Sequence, residues 1–206
     1  LENMKVLPMY QLSYFPNNQN VNGVQAYDKE VDALNQHTKA DKVYIVCSKE
    51  QLDENGSMKI FSMIDKLSAE LSVASDNETK KRLLMRRAIA HSVLRDFEAA
   101  ISDFTYYISL DDKNSLAYWQ RAVCQAEMDE FNKAEGKGVL NIHSAEADFS
   151  DAIRQNSNNA YIYYNRGNLH AGRNELSKAI DDYTIALRID NRLAEAYYNR
   201  GIARAK

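Results

Sequence analysis

The sequence predicts a mostly α protein, a solenoid of helical hairpins preceded by a small α/β module. Three observations carry this prediction. Arg-small pairs recur at Arg87-Ala88, Arg121-Ala122, Arg166-Gly167 and Arg200-Gly201, with steps of 34, 45 and 34 residues between them. A fixed period in this range marks helix-turn-helix units that stack on one another, and the middle step is one period plus an 11-residue insertion. Other columns keep the same steps. Leu84, Tyr118, Tyr163 and Tyr197 each stand three residues before an Arg, and Ala100, Ala145 and Ala179 are each followed four residues later by Phe104, Phe149 and Tyr183. Small residues let two helices approach closely, and bulky ones fill the gaps between neighbouring hairpins. Finally, both prolines, Pro8 and Pro16, fall in the first 16 residues, which sets the N-terminal segment apart.

Taken in order, residues 1–52 read as a strand-helix-strand module. Lys5 to Tyr14 alternates in part, with Tyr10, Leu12 and Tyr14 on one side, as a strand requires. Asn17 to Asn22 is asparagine-rich and reads as a loop. Val24, Tyr27, Val31 and Leu34 follow helical spacing and predict a short amphipathic helix, and Val43 to Cys47 predicts a second, more buried strand. Residues 53–80 hold a turn, Asp53 to Ser57, and a helix carrying Ile60, Met63, Ile64, Leu67 and Leu71. That helix is placed to cap the first repeat, because the end of a solenoid needs its apolar face covered. Asn77-Glu78-Thr79 fits a glycosylation sequon but reads as an incidental polar turn. The repeats then span 81–114, 115–159, 160–193 and, in part, 194–206, with the insertion at 132–142 between the helices of the second. The fourth holds only its first helix, Ala194 to Lys206, so the array is expected to continue in a longer parent chain. The start at Leu1 rather than Met points the same way.

Composition excludes several classes of function. The net charge is −3 and no stretch concentrates Lys and Arg on one face. Nucleic acid needs a basic stripe to release counterions, so it is not an expected partner, and neither is an anionic membrane surface. The longest apolar run, Val43-Tyr44-Ile45-Val46-Cys47, is far short of the roughly 20 residues that cross a bilayer. Cys47 and Cys124 lie in different modules and read as buried free thiols. His37, His91, His143 and His170 are scattered without metal-binding spacing, and no Gly-rich phosphate loop or nucleophile turn is present. No catalytic residue, metal or cofactor is therefore expected. His91 and His170 share a repeat column and read as packing residues. Asp103, Asp148 and Asp182 also share a column, which keeps step with the arginines across the insertion. The two columns either meet as Arg87–Asp103, Arg121–Asp148 and Arg166–Asp182 or are solvated surface charge.

These columns of small and large residues make residues 81–206 resemble the tetratricopeptide repeat family. The nearest flavour is that of bacterial repeats containing Tyr-Asn-Arg-Gly, present here as Tyr164-Asn165-Arg166-Gly167 and Tyr198-Asn199-Arg200-Gly201. The proline usual at the end of a repeat is absent, with Asp112, Ser157 and Asn191 in its column. The resemblance implies a ligand groove on the concave face, formed by the first helix of each repeat. One row there is Met85, Trp119, Tyr164 and Tyr198, and beside it run Arg86, Gln120, Asn165 and Asn199. One turn on come Ile89, Val123, Asn168 and Ile202. From these, Arg86, Trp119, Gln120, Tyr164, Asn165, Asn168, Tyr198 and Asn199 are the expected peptide-binding residues. Aromatic anchors bury large areas, and an amide side chain can bond a peptide backbone at both its N–H and C=O. For Trp119, Tyr164 and Tyr198 the alternative is packing inside the stack. Chaperone-binding members use a basic clamp, whose columns here hold Met85, Ile89, Gln120, Tyr161 and Asn165. None is Lys or Arg, which argues against Hsp70 or Hsp90 tails.

The expected function is non-enzymatic protein–protein interaction, with an extended peptide or a partner surface held in the groove. One alternative is a structural scaffold or self-association segment of a longer repeat protein. Another is a substrate-recruiting arm of an enzyme carried elsewhere in the parent chain. The unpaired helix Ala194 to Lys206 is expected to leave Tyr197 and Gly201 on an uncovered face, open to self-association.

Overall fold

The computed structural model describes residues 5–14, 24–25, 43–47, 53–137 and 142–206. Among them, three short strands precede eight helices. The strands are β1 (Gln11–Tyr14), β2 (Val24–Gln25) and β3 (Val43–Val46). The helices are α1 (Glu54–Val73), α2 (Asn77–Val93), α3 (Phe97–Leu110), α4 (Ser115–Ala134), α5 (Ile142–Gln155), α6 (Ala160–Gly172), α7 (Leu176–Ile189) and α8 (Ala194–Ala205). The pairs α2–α3, α4–α5 and α6–α7 form hairpins, α1 packs on α2, and α8 packs on α7. The chain is a helical-hairpin solenoid.

Local chemistry sets the helix starts. Asp53, Asp76, Asp96, Asn114 and Asn159 each precede a helix, and each accepts a backbone N–H of its first turn. Such caps satisfy donors that the helix itself leaves unpaired. Asp76 places Asn77-Glu78-Thr79 in the first turn of α2. Between the helices of the first and third repeats the chain turns through Arg95 and Asn174, both left-handed at φ 62°. At those same turns, His91 meets Asp96 at 2.9 Å and His170 meets Glu175 at 2.7 Å. These histidines pin the hairpin corners.

Within each hairpin the small column closes the gap. Ala88, Ala100, Ala122, Ala145 and Ala179 are wholly buried, as are Phe104, Phe149 and Tyr183. Gly167 is the tightest point, since a Cβ there would lie 2.7 Å from Cε1 of Tyr183. The charged columns meet in all three complete repeats. Arg87 grips both carboxylate oxygens of Asp103 at 2.7 and 2.6 Å, Arg121 those of Asp148 at 2.7 Å, and Arg166 those of Asp182 at 2.8 and 2.7 Å. Each arginine also reaches a hydroxyl on the preceding helix: Ser68, Thr105 and Ser150. Arg200, with no aspartate partner among the described residues, bonds Thr184 at 3.2 Å. Arg121, Arg166 and Arg200 lie over the rings of Tyr118, Tyr163 and Tyr197 at 5.5–5.8 Å. One side chain thus ties three elements together, and its planar fork fixes their register.

The N-terminal segment differs from expectation at Val24. Val24–Gln25, read as the opening of a helix, is β2, which pairs antiparallel with β3 through Val24↔Val46 and Gln25↔Ile45. Helical spacing reports where side chains repeat, but β3 offers an open backbone edge, and pairing with it overrides the local period. Tyr27, Val31 and Leu34 lie outside the described residues. The sheet order is β1-β3-β2, with β1 also antiparallel to β3. The insertion differs too, because α4 continues to Ala134. That is about two turns beyond the column in which α2 ends at Val93. Of the two free thiols, Cys124 is buried and Cys47 half-buried.

Met9, Tyr10, Leu12, Val43 and Ile45 join the same apolar core as Trp119, Tyr161 and Tyr164. Among the described residues, the strands therefore form no core of their own. They complete that of the solenoid.

Candidate functional site

The first helices α2, α4, α6 and α8 lie side by side, and residues 7–12 run across α8, α6 and α4. Asn199, on α8, accepts the Leu7 N–H on Oδ1 at 2.8 Å and donates from Nδ2 to the Leu7 carbonyl at 3.1 Å. Asn165, on α6, repeats the grip on Tyr10, accepting its N–H at 2.8 Å and donating to its carbonyl at 2.6 Å. Gln120, on α4, accepts the Leu12 N–H at 2.9 Å. The segment thus runs antiparallel to the order of the repeats. Its residues 10 and 12 face the amides with one edge, while β3 pairs with the other. An isolated strand edge leaves its N–H and C=O groups unpaired. Here amide side chains take the place of another strand.

Around the backbone grip lies a second set of polar contacts. Asn168 donates to the Leu7 carbonyl at 3.0 Å and accepts from Tyr183 at 2.7 Å and from Asn199 at 2.9 Å. Tyr164 donates to the Pro8 carbonyl at 2.9 Å, and the Cys47 thiol reaches the same oxygen at 3.0 Å. Burial pushes that thiol up to about 12, so it stays a protonated donor at neutral pH. The Tyr10 ring sits 4.7 Å from Tyr161 and 5.2 Å from Tyr164 in tilted and edge-on geometries, which ring quadrupoles favour. Its hydroxyl donates to Glu195 at 2.8 Å. Burial, and then the bond to Glu195, raise the Tyr10 phenol above its ordinary range.

The residues expected to bind peptide therefore separate into groups. Gln120, Asn165, Asn168 and Asn199 are buried and meet at the backbone of residues 7–12. Tyr164 joins them through its hydroxyl. Trp119 is wholly buried and stacks on Tyr161 at 6.2 Å and 13°. Its ring packs against Tyr161 of α6, and the adjacent Gln120 meets the strand at Leu12. Tyr198 is 41% exposed, and Arg86 is half-buried on α2. That residues 7–12 meet this row of amides is what sequence reasoning missed. Its signal was a strand with a bare edge in a chain that also carries a row of amides.

No family model matches the chain. The human protein tetratricopeptide repeat protein 6 is 32% identical over a stretch that takes in 46% of this chain and 22% of that protein. The chain thus spans less than a quarter of the length of that curated relative. Among solved structures, MamA superposes with a TM-score of 0.61 at 20% identity, covering 76% of this chain and 85% of that one. The Arabidopsis OM64 TPR domain gives 0.56 at 19% identity, covering 63% of this chain and 98% of the domain. The fold is of the tetratricopeptide type. The second TPR domain of human RPAP3, solved in complex with an HSP70 peptide, gives 0.55 at 18% identity over 64% of this chain and 100% of that one.

Proposed function

We propose that this tetratricopeptide array is a non-enzymatic protein–protein interaction module that holds an extended peptide in its concave groove. The observation that supports it is the double grip of Asn165 and Asn199, each on both backbone groups of one residue of an extended segment. Such a grip reads main chain, so it accepts many sequences and leaves selectivity to the pockets between the amides. Similar folds reinforce it, since RPAP3 domains are solved with HSP70 and HSP90 peptides. The ligand proposed here is not of that kind. The basic-clamp columns hold Met85, Ile89, Gln120, Tyr161 and Asn165, none of which is a Lys or Arg to form an ion pair with a terminal carboxylate. The Tyr-Asn-Arg-Gly repeats favour the bacterial branch of the family.

A peptide array probed with the chain and with its Asn199→Ala variant tests this reading. Peptides retained by the first and lost by the second support it. A second reading, a scaffold whose groove is permanently filled, rests on the complete burial of Trp119, Asn165 and Asn199. It moves ahead if neither chain, both folded by circular dichroism, retains any peptide.

A further inference from the structure

Resting on that reading, we infer that residues 5–14 are a built-in competing ligand. The partner they hold off is an extended peptide with a Leu-x-x-Tyr core and a hydrogen-bond acceptor two residues beyond the tyrosine. The grip defines the core. Asn199 holds both backbone groups of Leu7, and Asn165 holds both of Tyr10 three residues later. The position of Tyr10 selects a neutral phenol, because Tyr161 and Tyr164 enclose the ring and Glu195 accepts the hydroxyl proton. A phosphorylated tyrosine there would set its charge against Glu195 and be rejected.

The third rung shows that the resident segment is an imperfect fit. Gln120 accepts the Leu12 N–H, but its own Nε2 finds no acceptor among the described residues, and neither does the adjacent Trp119 Nε1. Both side chains are buried. Two buried donors left open on α4, where the segment meets it, are a standing cost to this arrangement. A ligand with a carbonyl or hydroxyl that reaches Gln120 Nε2 satisfies that donor and gains over the intramolecular competitor. The other end offers the way out, since Lys5 is exposed and Val6 to Pro8 are only half-buried. The segment can peel from α8 towards α4, opening the rungs in turn.

The test uses the full chain and a fluorescent synthetic peptide of residues 5–14, with a second peptide carrying Leu12→Asn. Full-length Tyr10→Ala loosens the resident segment and leaves every groove residue in place. Apparent affinity falls with the fraction of open groove, so Tyr10→Ala is expected to bind the peptide at least about tenfold more tightly than the unaltered chain. The Leu12→Asn peptide is expected to bind more tightly than the parent peptide. Hydrogen exchange on the unaltered chain is the second measurement, and it needs no variant to fold. Excess Leu12→Asn peptide should speed exchange at residues 5–14 while leaving α6 and α7 unchanged. If the unaltered and Tyr10→Ala chains bind equally and exchange does not respond, intramolecular competition is overturned while groove binding stands. If folded Tyr10→Ala binds neither peptide, the groove reading itself fails. Equal affinity for the two peptides overturns the acceptor requirement.

Discussion

Asn165→Ala probes the grip at its best-formed rung. The side chain is wholly buried, and it holds the Tyr10 N–H at 2.8 Å and the Tyr10 carbonyl at 2.6 Å. Alanine removes both bonds and leaves two buried backbone groups without partners. Each orphaned group costs about 1–3 kcal/mol, so the docked arrangement loses about 2–6 kcal/mol. The loss to the whole fold has a ceiling, because the segment can leave once docking costs more than it gains. The helices α2 to α7 then persist with an open groove. Hydrogen exchange separates the two effects. Amides of Leu7, Tyr10 and Leu12 should exchange at least about 25-fold faster, the equivalent of the lower figure, while the cores of the hairpins change little. Asn165→Asp should be at least as damaging, since it buries a charge against the Tyr10 carbonyl. Exchange at residues 7–12 within a few-fold of the parent, in a folded variant, would refute the idea that these bonds hold the segment.

Gly167 and Gly201 share a column but should respond in opposite directions. Gly167→Ala sets a Cβ 2.7 Å from the buried Tyr183 ring, whose hydroxyl is held by Asn168, and should lower stability by about 1–3 kcal/mol. Gly201→Ala meets nothing within 4 Å and should raise stability by up to about 1 kcal/mol in a thermal melt. Trp119→Ala should lower the urea midpoint by the equivalent of about 3–5 kcal/mol, because the indole is wholly buried. Arg121→Leu strands the buried Asp148 carboxylate and should cost about 3 kcal/mol, most of it recovered in the double variant with Asp148→Leu. The Tyr10 phenol is raised on docking, so its contribution is complete below the ordinary tyrosine value of about 10 and is lost as pH rises beyond it. Tyr10→Phe should reduce that alkaline loss without removing it, since Tyr164 and Tyr183 are raised in the same direction.

The repeat period, the hairpins and the Arg–Asp columns were legible in the sequence because each arises within one unit and then recurs. Arg87 and Asp103, or Arg166 and Asp182, sit 16 residues apart, and the steps of 34 and 45 residues carry one pair onto the other. Thr105, Ser150 and Thr184 keep the same 45 and 34 steps and could have been found in that way. The amide row was legible too, as a line of Gln120, Asn165 and Asn199. Its occupant was not. Leu7 meets Asn199 across 192 residues and Tyr10 meets Asn165 across 155, and these contacts occur once, so no period announces them. Val24 failed for a related reason, because its side-chain spacing is helical while the edge of β3 is what its backbone pairs with. By itself the sequence determined which residues face inward and how the hairpins stack, since burial follows periodicity. Which backbone satisfies the groove was decided only by tertiary structure, because an unpaired strand edge and a row of buried amides must each find a partner, and the fold brings them together.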